Sequence, residues 1–187
     1  MTIVALGDSL VAGYGLAGVD AFPSRLQQAL VDKGFAVTIV NAGVSGDTAS
    51  GGLARLDWSV PDGTDAVILE LGANDALRGF DPAVTRKALD AILGRLAARK
   101  IPVLLCGMLA PPNLGAEYGH AFNAIYPDLA TQYAAILYPF FLAGVAADPS
   151  LNQRDGLHPT PAGVAVIVER MLPTVEQLIG RAKTPRS

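Results

Sequence analysis

The chain has 187 residues, 51% of them hydrophobic and 17% charged, and its formal net charge at pH 7 is -3. This length is enough for one domain with a full core, and the apolar composition excludes a disordered chain. Lysine and arginine are scattered along the sequence and are outnumbered by acidic residues, which argues against a nucleic-acid partner. We predict a single domain over residues 1–180, followed by a polar tail over residues 181–187.

The cysteine and histidine content limits disulfide and metal chemistry. The one cysteine, Cys106, cannot form an internal disulfide, and two histidines are too few for a typical metal-binding cluster. We therefore expect no metal site.

The sequence shows no pattern typical of a membrane span or an export signal. Its longest apolar stretch, residues 134–147, contains Pro139 and Gly144 and is shorter than the ~20 residues that a membrane span requires. No basic segment followed by an apolar one precedes the first predicted strand. We expect no integral membrane segment, and a cytoplasmic protein as written, or a periplasmic or secreted one if a signal was removed. The oligomeric state is left open by the sequence.

The first predicted strand is the apolar run over residues 3–6, which ends at Gly7 and leads into Asp8 and Ser9. A continuous apolar run of this length is typical of a buried parallel strand. Ligands bind outside the carboxyl ends of such strands, so the Ser9 hydroxyl is placed for chemistry. Taken alone, however, Gly-Asp-Ser is more often only a turn.

A glycine-rich loop follows, in which Gly13, Gly15 and Gly18 match the Gly-x-Gly-x-x-Gly pattern of dinucleotide-binding proteins. That fingerprint leaves a strand directly, opens a helix and is followed ~20 residues later by an acidic residue. Here the strand ends several residues earlier, Pro23 interrupts before a helix can run, and the second strand ends in Asn41. A dinucleotide-dependent oxidoreductase is therefore a disfavoured alternative.

The rest of the chain alternates helical and strand patterns, which is typical of an α/β fold. Helices are predicted over residues 24–33, 48–58, 81–99, 116–132 and 160–179, with Pro173 bending or breaking the last one. Strands are predicted over residues 36–40, 66–71, 101–106 and, at the sheet edge, 135–138. Glu70 is unusual in such an apolar strand. A buried carboxylate there needs either a partner, for which Arg78 is the candidate, or a position at the end of the sheet.

Polar residues at the ends of the predicted strands supply the parts of a serine hydrolase. Ser9 carries a hydroxyl, and neutral His158 can accept its proton and later return it. Asp155 lies three residues before His158, close enough to bind one ring nitrogen. The Ser9 and Gly43 backbone N–H groups and the Asn74 amide can stabilise an oxyanion. Each residue alone also has an ordinary structural interpretation, as a turn, a cap or a positive-φ position.

The order of these motifs resembles that of the GDSL or SGNH hydrolase family, and in particular its bacterial arylesterase, acyl-thioesterase and lysophospholipase branch. The blocks are Gly7-Asp8-Ser9-Leu10, Gly43, Gly72-Ala73-Asn74-Asp75 and Asp155-Gly156-Leu157-His158-Pro159. The resemblance implies a flavodoxin-like three-layer α/β/α sandwich with a mostly parallel five-stranded sheet, and no cofactor. It also implies a catalytic triad of Ser9, Asp155 and His158, and an oxyanion hole formed by Ser9, Gly43 and Asn74.

The activity that we predict is hydrolysis of short- to medium-chain acyl esters, including aryl esters, through an acyl-enzyme on Ser9, with thioesters as a further option. Leu10, Met108, Phe140 and Phe141 offer an apolar lining of limited extent for a small-molecule substrate. Lysophospholipase and carbohydrate O-deacetylase activities are alternatives at the same site. A non-catalytic binding module is the alternative from another class.

Overall fold

A five-stranded parallel sheet forms the centre of the protein, which a computed structural model describes for residues 1–183. The strands are β1 (Thr2–Gly7), β2 (Thr38–Gly43), β3 (Ala66–Glu70), β4 (Val103–Cys106) and β5 (Ile136–Tyr138). Their order in the sheet is β2-β1-β3-β4-β5, and every neighbouring pair is parallel. This is the flavodoxin-like order, in which ligands bind where the strand order reverses, at β1 and β3.

The central strands are buried because helices cover both faces of the sheet. All residues of β3 and β4 are buried, as are all but the first of β1. Parallel strands covered on both faces read as continuous apolar runs, which is why the sequence revealed them. The edge strand β2 has only Ile39 fully buried, so its apolar signal is weaker.

The helices fill the connections between strands and form the two outer layers. They are α1 (Ser9–Ala12), α2 (Phe22–Asp32), α3 (Ala49–Ala54), α4 (Leu56–Ser59), α5 (Ala73–Leu77), α6 (Pro82–Ala98), α7 (Ala116–Asn123), α8 (Ile125–Gln132) and α9 (Pro161–Lys183). Helix α2 packs against α9, while α6 packs against α3 and α8. The predicted α/β sandwich with a five-stranded sheet is confirmed. Among the described residues, no helix combines the length and the apolar character that a membrane crossing requires.

Several predicted helix boundaries are wrong. Helix α2 already begins at Phe22, with Pro23 in its first turn, where a missing N–H costs nothing. The predicted helix over residues 48–58 is divided at Arg55, and the one over residues 116–132 is also two helices. Helix α9 runs through Pro173 without a break.

The end of the chain also differs from the prediction. Helix α9 continues to Lys183, so residues 181–183 of the predicted polar tail are helical. Arg181 donates a hydrogen bond from Nη1 to the Ala134 carbonyl, at 2.6 Å, which fixes this last turn to the segment before β5. Residues 184–187 of the predicted tail lie outside the described part of the chain.

Candidate active site

Ser9 is the first residue of α1, directly after the carboxyl end of β1. Asp8 caps this short helix, because its Oδ1 accepts a hydrogen bond from Leu10 N at 3.0 Å. Ser9 is only 9% exposed, so its hydroxyl lies at the floor of a cleft. Within residues 1–183 its backbone N–H has no acceptor, as expected for the first N–H of a helix.

His158 and Asp155 reach Ser9 from the loop between β5 and α9. His158 Nε2 lies 2.9 Å from Ser9 Oγ, and His158 Nδ1 lies 2.7 Å from Asp155 Oδ2. Asp155 Oδ1 also accepts from the backbone N–H groups of His158, at 3.0 Å, and Leu157, at 2.9 Å. These hydrogen bonds, the His158 N–H first, lower the pKa of Asp155 to about 2.

The charge on Asp155 determines which nitrogen of the imidazole carries the proton. An ionised carboxylate can only accept, so the neutral ring places its N–H on Nδ1. Nε2 then has a free lone pair, which accepts a hydrogen bond from the Ser9 hydroxyl. Within residues 1–183, the structure thus brings together all three predicted catalytic residues in an arrangement that can deprotonate the serine.

The glycine-rich loop supports the histidine loop. Gln153 donates from Nε2 to Tyr14 O at 2.8 Å and to Pro159 O at 3.0 Å, which ties the two loops together. The ring of Tyr14 lies beside the imidazole of His158, with ring centroids 4.6 Å apart. Because α1 separates this loop from β1, it cannot act as the dinucleotide fingerprint, and that interpretation is wrong. Sequence reasoning did not identify Tyr14 or Gln153; the two glycines beside Tyr14 were the available signal.

Asn74 lies on α5, immediately beyond the carboxyl end of β3. Its Nδ2 donates to Asp8 Oδ2 at 3.1 Å and to Asp47 O at 2.9 Å, so the amide is held between the Ser9 turn and the turn after β2. Gly72 permits the chain to enter α5 with φ of 115°. The structure therefore places Asn74 beside Ser9, as the sequence predicted for an oxyanion donor.

Gly43 does not offer the free N–H that was predicted. Its N–H donates to Asn41 Oδ1 at 2.9 Å, so the donor is already used by the turn. A Cβ on Gly43 would lie 2.2 Å from Ala12 N, which shows that this glycine is needed for close packing of β2 against α1. The prediction that Gly43 is an oxyanion donor is therefore wrong in this structure.

Gly46, three residues later, has the free N–H instead. Within the described chain no acceptor is found for it. The carbonyl of Gly46 accepts from Arg78 Nη2 at 2.8 Å, and the next residue, Asp47, binds Asn74 through its carbonyl. These two contacts hold the turn that contains Gly46 against α5. Two glycines in one turn were the signal in the sequence, and their spacing did not show which one has the free N–H.

Arg55 holds this turn against the sheet. The buried guanidinium donates from Nε to Asp47 Oδ2 at 2.7 Å, from Nη1 to Ala42 O at 2.8 Å and from Nη2 to Gly7 O at 2.8 Å. One side chain thus joins the carboxyl ends of β1 and β2 to the turn that carries Gly46. Sequence reasoning missed this residue.

Glu70 forms a buried pair with Asp8 rather than with Arg78, so the expected partner is wrong. Glu70 Oε2 accepts from Asp8 N at 3.3 Å, and Oε1 has no partner within the described residues. Burial, and then the neighbouring Asp8, raise the pKa of Glu70 well above its usual range. Burial also raises the pKa of Asp8 to about 6, against the opposing effect of its hydrogen bonds.

An apolar cavity of about 490 Å³ opens beside Ser9 and His158. Of the four predicted lining residues, Leu10, Met108 and Phe140 line it. Phe141 does not, because it is fully buried in the core with its ring edge against Phe22, at a centroid distance of 5.1 Å. Further apolar residues of the wall are Ala76, Leu77, Leu109, Ala110, Pro111, Pro112, Leu142, Ala146 and Leu157.

Residues 1–183 contain no candidate metal centre. No group of three or more histidine, cysteine, aspartate or glutamate side chains there could hold a metal ion. The carboxyl groups at the site are instead engaged by backbone N–H groups, Asn74 and His158.

Relatives by sequence cover most of the chain. Esterase TesA of Pseudomonas aeruginosa is 39% identical over 179 residues, which are 95% of this chain and 89% of the relative. The arylesterase of Vibrio mimicus is 41% identical over 168 residues, or 89% of this chain and 84% of the relative. Thioesterase 1/protease 1/lysophospholipase L1 of Escherichia coli is 38% identical over 179 residues, or 95% and 85%.

Solved structures and a family model agree with these relatives. The crystal structure of AlinE4, an SGNH-hydrolase family esterase, is 49% identical, with a TM-score of 0.80 over 94% of this chain and 95% of that one. The crystal structure of TesA matches with a TM-score of 0.90 and 38% identity, over 95% and 99% of the two chains. The model of the GDSL-like lipase/acylhydrolase family matches residues 5–166. As its ordered motifs predicted, the chain belongs to the GDSL-like lipase/acylhydrolase family.

Proposed function

We propose that this protein is a serine esterase that hydrolyses short- to medium-chain acyl esters, including aryl esters, through an acyl-enzyme on Ser9. The observation that carries the proposal is the hydrogen-bonded series from Ser9 Oγ to His158 Nε2, at 2.9 Å, and from His158 Nδ1 to Asp155 Oδ2, at 2.7 Å. Such a series activates a hydroxyl that is otherwise a weak nucleophile.

In the first half of the reaction, His158 Nε2 accepts the hydroxyl proton as Ser9 Oγ attacks the ester carbonyl carbon. The resulting imidazolium is stabilised by ionised Asp155, and it then gives the proton to the leaving alcohol or phenol. In the second half, His158 deprotonates a water that attacks the acyl-enzyme, and the proton returns to Ser9 Oγ as the acid is released.

The developing oxyanion needs donors on the side of the cleft away from His158. We assign this role to the N–H groups of Ser9 and Gly46, which have no acceptor within residues 1–183, and to Asn74 Nδ2. The oxyanion competes with Asp47 O for one hydrogen of the Asn74 amide. Loss of one donor of this kind costs ~3 kcal/mol of transition-state stabilisation.

The acyl preference follows from the cavity. Its wall is apolar and its volume of about 490 Å³ suits one chain of limited length. The names of the relatives support aryl esters and, as a further option, thioesters, because an acyl-enzyme forms from either. Lysophospholipase activity is the second candidate, favoured by the half-exposed Leu77, Leu109 and Leu157 at the cavity mouth. Carbohydrate O-deacetylation has less support, since these walls offer few polar groups for a sugar.

Labelling with a fluorophosphonate tests the proposal, since only an activated serine reacts quickly. We expect wild type to be labelled at Ser9, and Ser9→Ala to lose labelling and to lose kcat on a p-nitrophenyl ester by a factor on the order of 10⁴ to 10⁶. Ser50→Ala, at an exposed serine on α3, is the matched control. Labelling of Ser9→Ala at the wild-type rate would identify another nucleophile. Wild type that is neither labelled nor active would support the binding-module alternative.

An acyl-chain series ranks the substrates. We expect kcat/KM of p-nitrophenyl esters to rise from acetyl to medium chains and to fall for long chains, because the cavity is finite. If kcat/KM for a long-chain lysophospholipid exceeded that for every short ester, the lysophospholipase candidate would be favoured instead.

A further inference from the structure

Two carboxyl groups lie side by side beneath the nucleophile. Asp8 and Glu70 are both 0% exposed. Asp8 directly follows β1 and Glu70 is the last residue of the neighbouring strand β3, where it is in register with Gly7. Glu70 Oε2 lies 3.3 Å from the backbone nitrogen of Asp8, so the two carboxyl groups are neighbours in the core. Two adjacent negative charges in the buried core are strongly unfavourable, so one of the two groups must hold a proton.

Within residues 1–183, the positive charge that acts on the pair is that of protonated His158, and it favours an ionised Asp8, not an ionised Glu70. Glu70 and Asp8 form no ion pair within residues 1–183. The guanidinium of Arg55 is used by Asp47 and by strand carbonyls, and that of Arg78 by Gly46 O. The groups that face Glu70 from the neighbouring elements are Asp8 before α1, Cys106 on β4 and Tyr126 on α8. None of these carries a positive charge that would favour a second carboxylate.

The hydrogen bonds distinguish the two carboxyl groups. Asp8 accepts from Leu10 N through Oδ1 and from Asn74 Nδ2 through Oδ2, which suits an ionised group. Glu70 accepts one long bond from Asp8 N, and its Oε1 has no partner. A buried oxygen without a donor is tolerated far better on a neutral carboxylic acid than on a carboxylate. The proton that the pair retains therefore belongs to Glu70.

We propose that Glu70 is a neutral carboxylic acid that donates a hydrogen bond to the Asp8 carboxylate, and through Asp8 holds the Asn74 amide at the oxyanion site. Glu70 is thus a positioning residue, since it touches neither Ser9 Oγ nor the cavity. The raised pKa of Glu70, caused first by burial, supports this state. Without the donor, Asp8 takes up a proton more readily, and it can then no longer accept from both Leu10 and Asn74.

Infrared difference spectroscopy tests the protonation state independently of catalysis. We expect the spectrum of wild type minus Glu70→Gln at pH 7 to show the carbonyl band of a protonated carboxyl group, well separated from the carboxylate bands. The control is Glu117→Gln, at an exposed glutamate on α7, which should show only carboxylate bands. A wild-type minus Glu70→Gln spectrum with carboxylate bands alone would overturn the proposal.

A second measurement follows the positioning of Asn74. The side-chain amide signal of Asn74, assigned in ¹H–¹⁵N spectra by its loss in Asn74→Ala, should move in Glu70→Leu and stay near its wild-type position in Glu70→Gln, whose amide still donates to Asp8. An unmoved signal in a folded Glu70→Leu would overturn the link from Glu70 to Asn74. If Glu70→Leu does not fold, a displaced Asn74 signal in Glu70→Gln would contradict the proposal.

The kinetic test rests on the proposed esterase function. We expect Glu70→Leu to lower kcat about 10- to 100-fold at little change in KM, up to the loss seen when an oxyanion donor is removed. Glu70→Gln should restore kcat to within about threefold of wild type, because a neutral donor is retained. In an Asn74→Ala background, Glu70→Leu should have less than about a twofold effect, since it acts through Asn74. An equal loss in both backgrounds would overturn the positioning role.

A wild type without esterase activity would contradict the proposed function, while the spectroscopic tests would still decide the protonation state of Glu70.

Discussion

His158 is held by aromatic contact as well as by hydrogen bonds. Asp155 and Ser9 bind its two nitrogens, and the Tyr14 ring packs on the imidazole at a 38° tilt. During catalysis the imidazole becomes positively charged, and an aromatic face stabilises a nearby cation. The glycines on both sides of Tyr14 allow its backbone to meet Gln153, so the loop and the base are positioned together.

We predict that Tyr14→Leu lowers kcat/KM, because the imidazolium loses the aromatic face. A contact of this kind at an exposed site contributes about 0.5–1 kcal/mol, which corresponds to about a two- to fivefold loss. Tyr14→Phe retains the ring and should keep the wild-type rate to within about twofold. Hydrolysis of a p-nitrophenyl ester by wild type and the two variants, compared at one pH, measures both losses. Equal losses in the two variants would show that the hydroxyl, and not the ring, matters.

Gly72 sets the path of the chain between β3 and Asn74. Its φ is 115°, and a Cβ there would lie 2.2 Å from the Tyr126 hydroxyl, which donates to Leu71 O. We predict that Gly72→Ala lowers the free energy of unfolding by about 2–4 kcal/mol, through backbone strain and displacement of this buried hydroxyl. It should also lower kcat, because Asn74 is only two residues away.

The matched control for Gly72 is Gly79→Ala. Gly79 also has a positive φ, of 65°, but no atom lies within 4 Å of the added Cβ. We expect this variant to lose only about 1 kcal/mol in urea unfolding and to keep its activity. Equal stability losses for the two glycines would mean that the contact with Tyr126 contributes nothing.

The positions of single site residues were predictable from the sequence where the end of a strand determines them. Ser9 and Asn74 were found because the carboxyl ends of parallel strands meet at one edge, and His158 was found through its spacing from Asp155. Gly43 and Phe141 were misassigned because their roles depend on the direction of an N–H or a side chain in an irregular segment. Two glycines in one turn, or two adjacent phenylalanines, differ only after the backbone path is known.

At the scale of secondary structure elements, the turn after β2 is held in place by one buried ion pair. Arg55 lies at the junction of α3 and α4, and its guanidinium binds Asp47 and carbonyls at the carboxyl ends of β1 and β2. The sequence predicted one helix across this junction, because the pairing of Arg55 with a residue eight positions earlier depends on the turn itself. The helices on the faces were easier to predict, since their apolar stripes follow from helical periodicity.

We predict that Arg55→Ala lowers the free energy of unfolding by about 3–5 kcal/mol, because Asp47 is left as an unpaired, largely buried charge. The control is Arg95→Ala, which removes an exposed ion pair with Asp57 and should cost less than about 1 kcal/mol. Urea unfolding measures both. Arg55→Ala should also reduce kcat, since the turn carries Gly46. A loss for Arg55→Ala as small as that for Arg95→Ala would show that the buried pair adds no net stability.

For the whole molecule, the buried carboxyl pair determines how stability depends on pH. The native state keeps a proton on Glu70, and on Asp8 below about pH 6, whereas the unfolded chain releases both above the ordinary carboxyl range. The native state then binds more protons than the unfolded state, so stability falls as pH rises. Asp155 acts in the opposite direction, because its hydrogen bonds lower its pKa to about 2. Its contribution to stability is present above the ordinary carboxyl pKa range and is lost as the pH falls toward the lowered pKa. Asp155 is partly exposed, and solvent screening keeps its contribution small.

We predict that the free energy of unfolding of wild type declines between pH 5 and pH 8, by up to about 1.4 kcal/mol per pH unit for each retained proton. Glu70→Gln carries no titratable group at this position, so its decline should be less steep by up to that amount. Urea unfolding at several pH values measures both slopes, with Glu117→Gln as the control that should keep the wild-type slope. Parallel curves for wild type and Glu70→Gln would mean that Glu70 ionises at the same pH in the folded and the unfolded protein. Asp8 and Glu70 would then need a counter-charge, which the described residues do not provide.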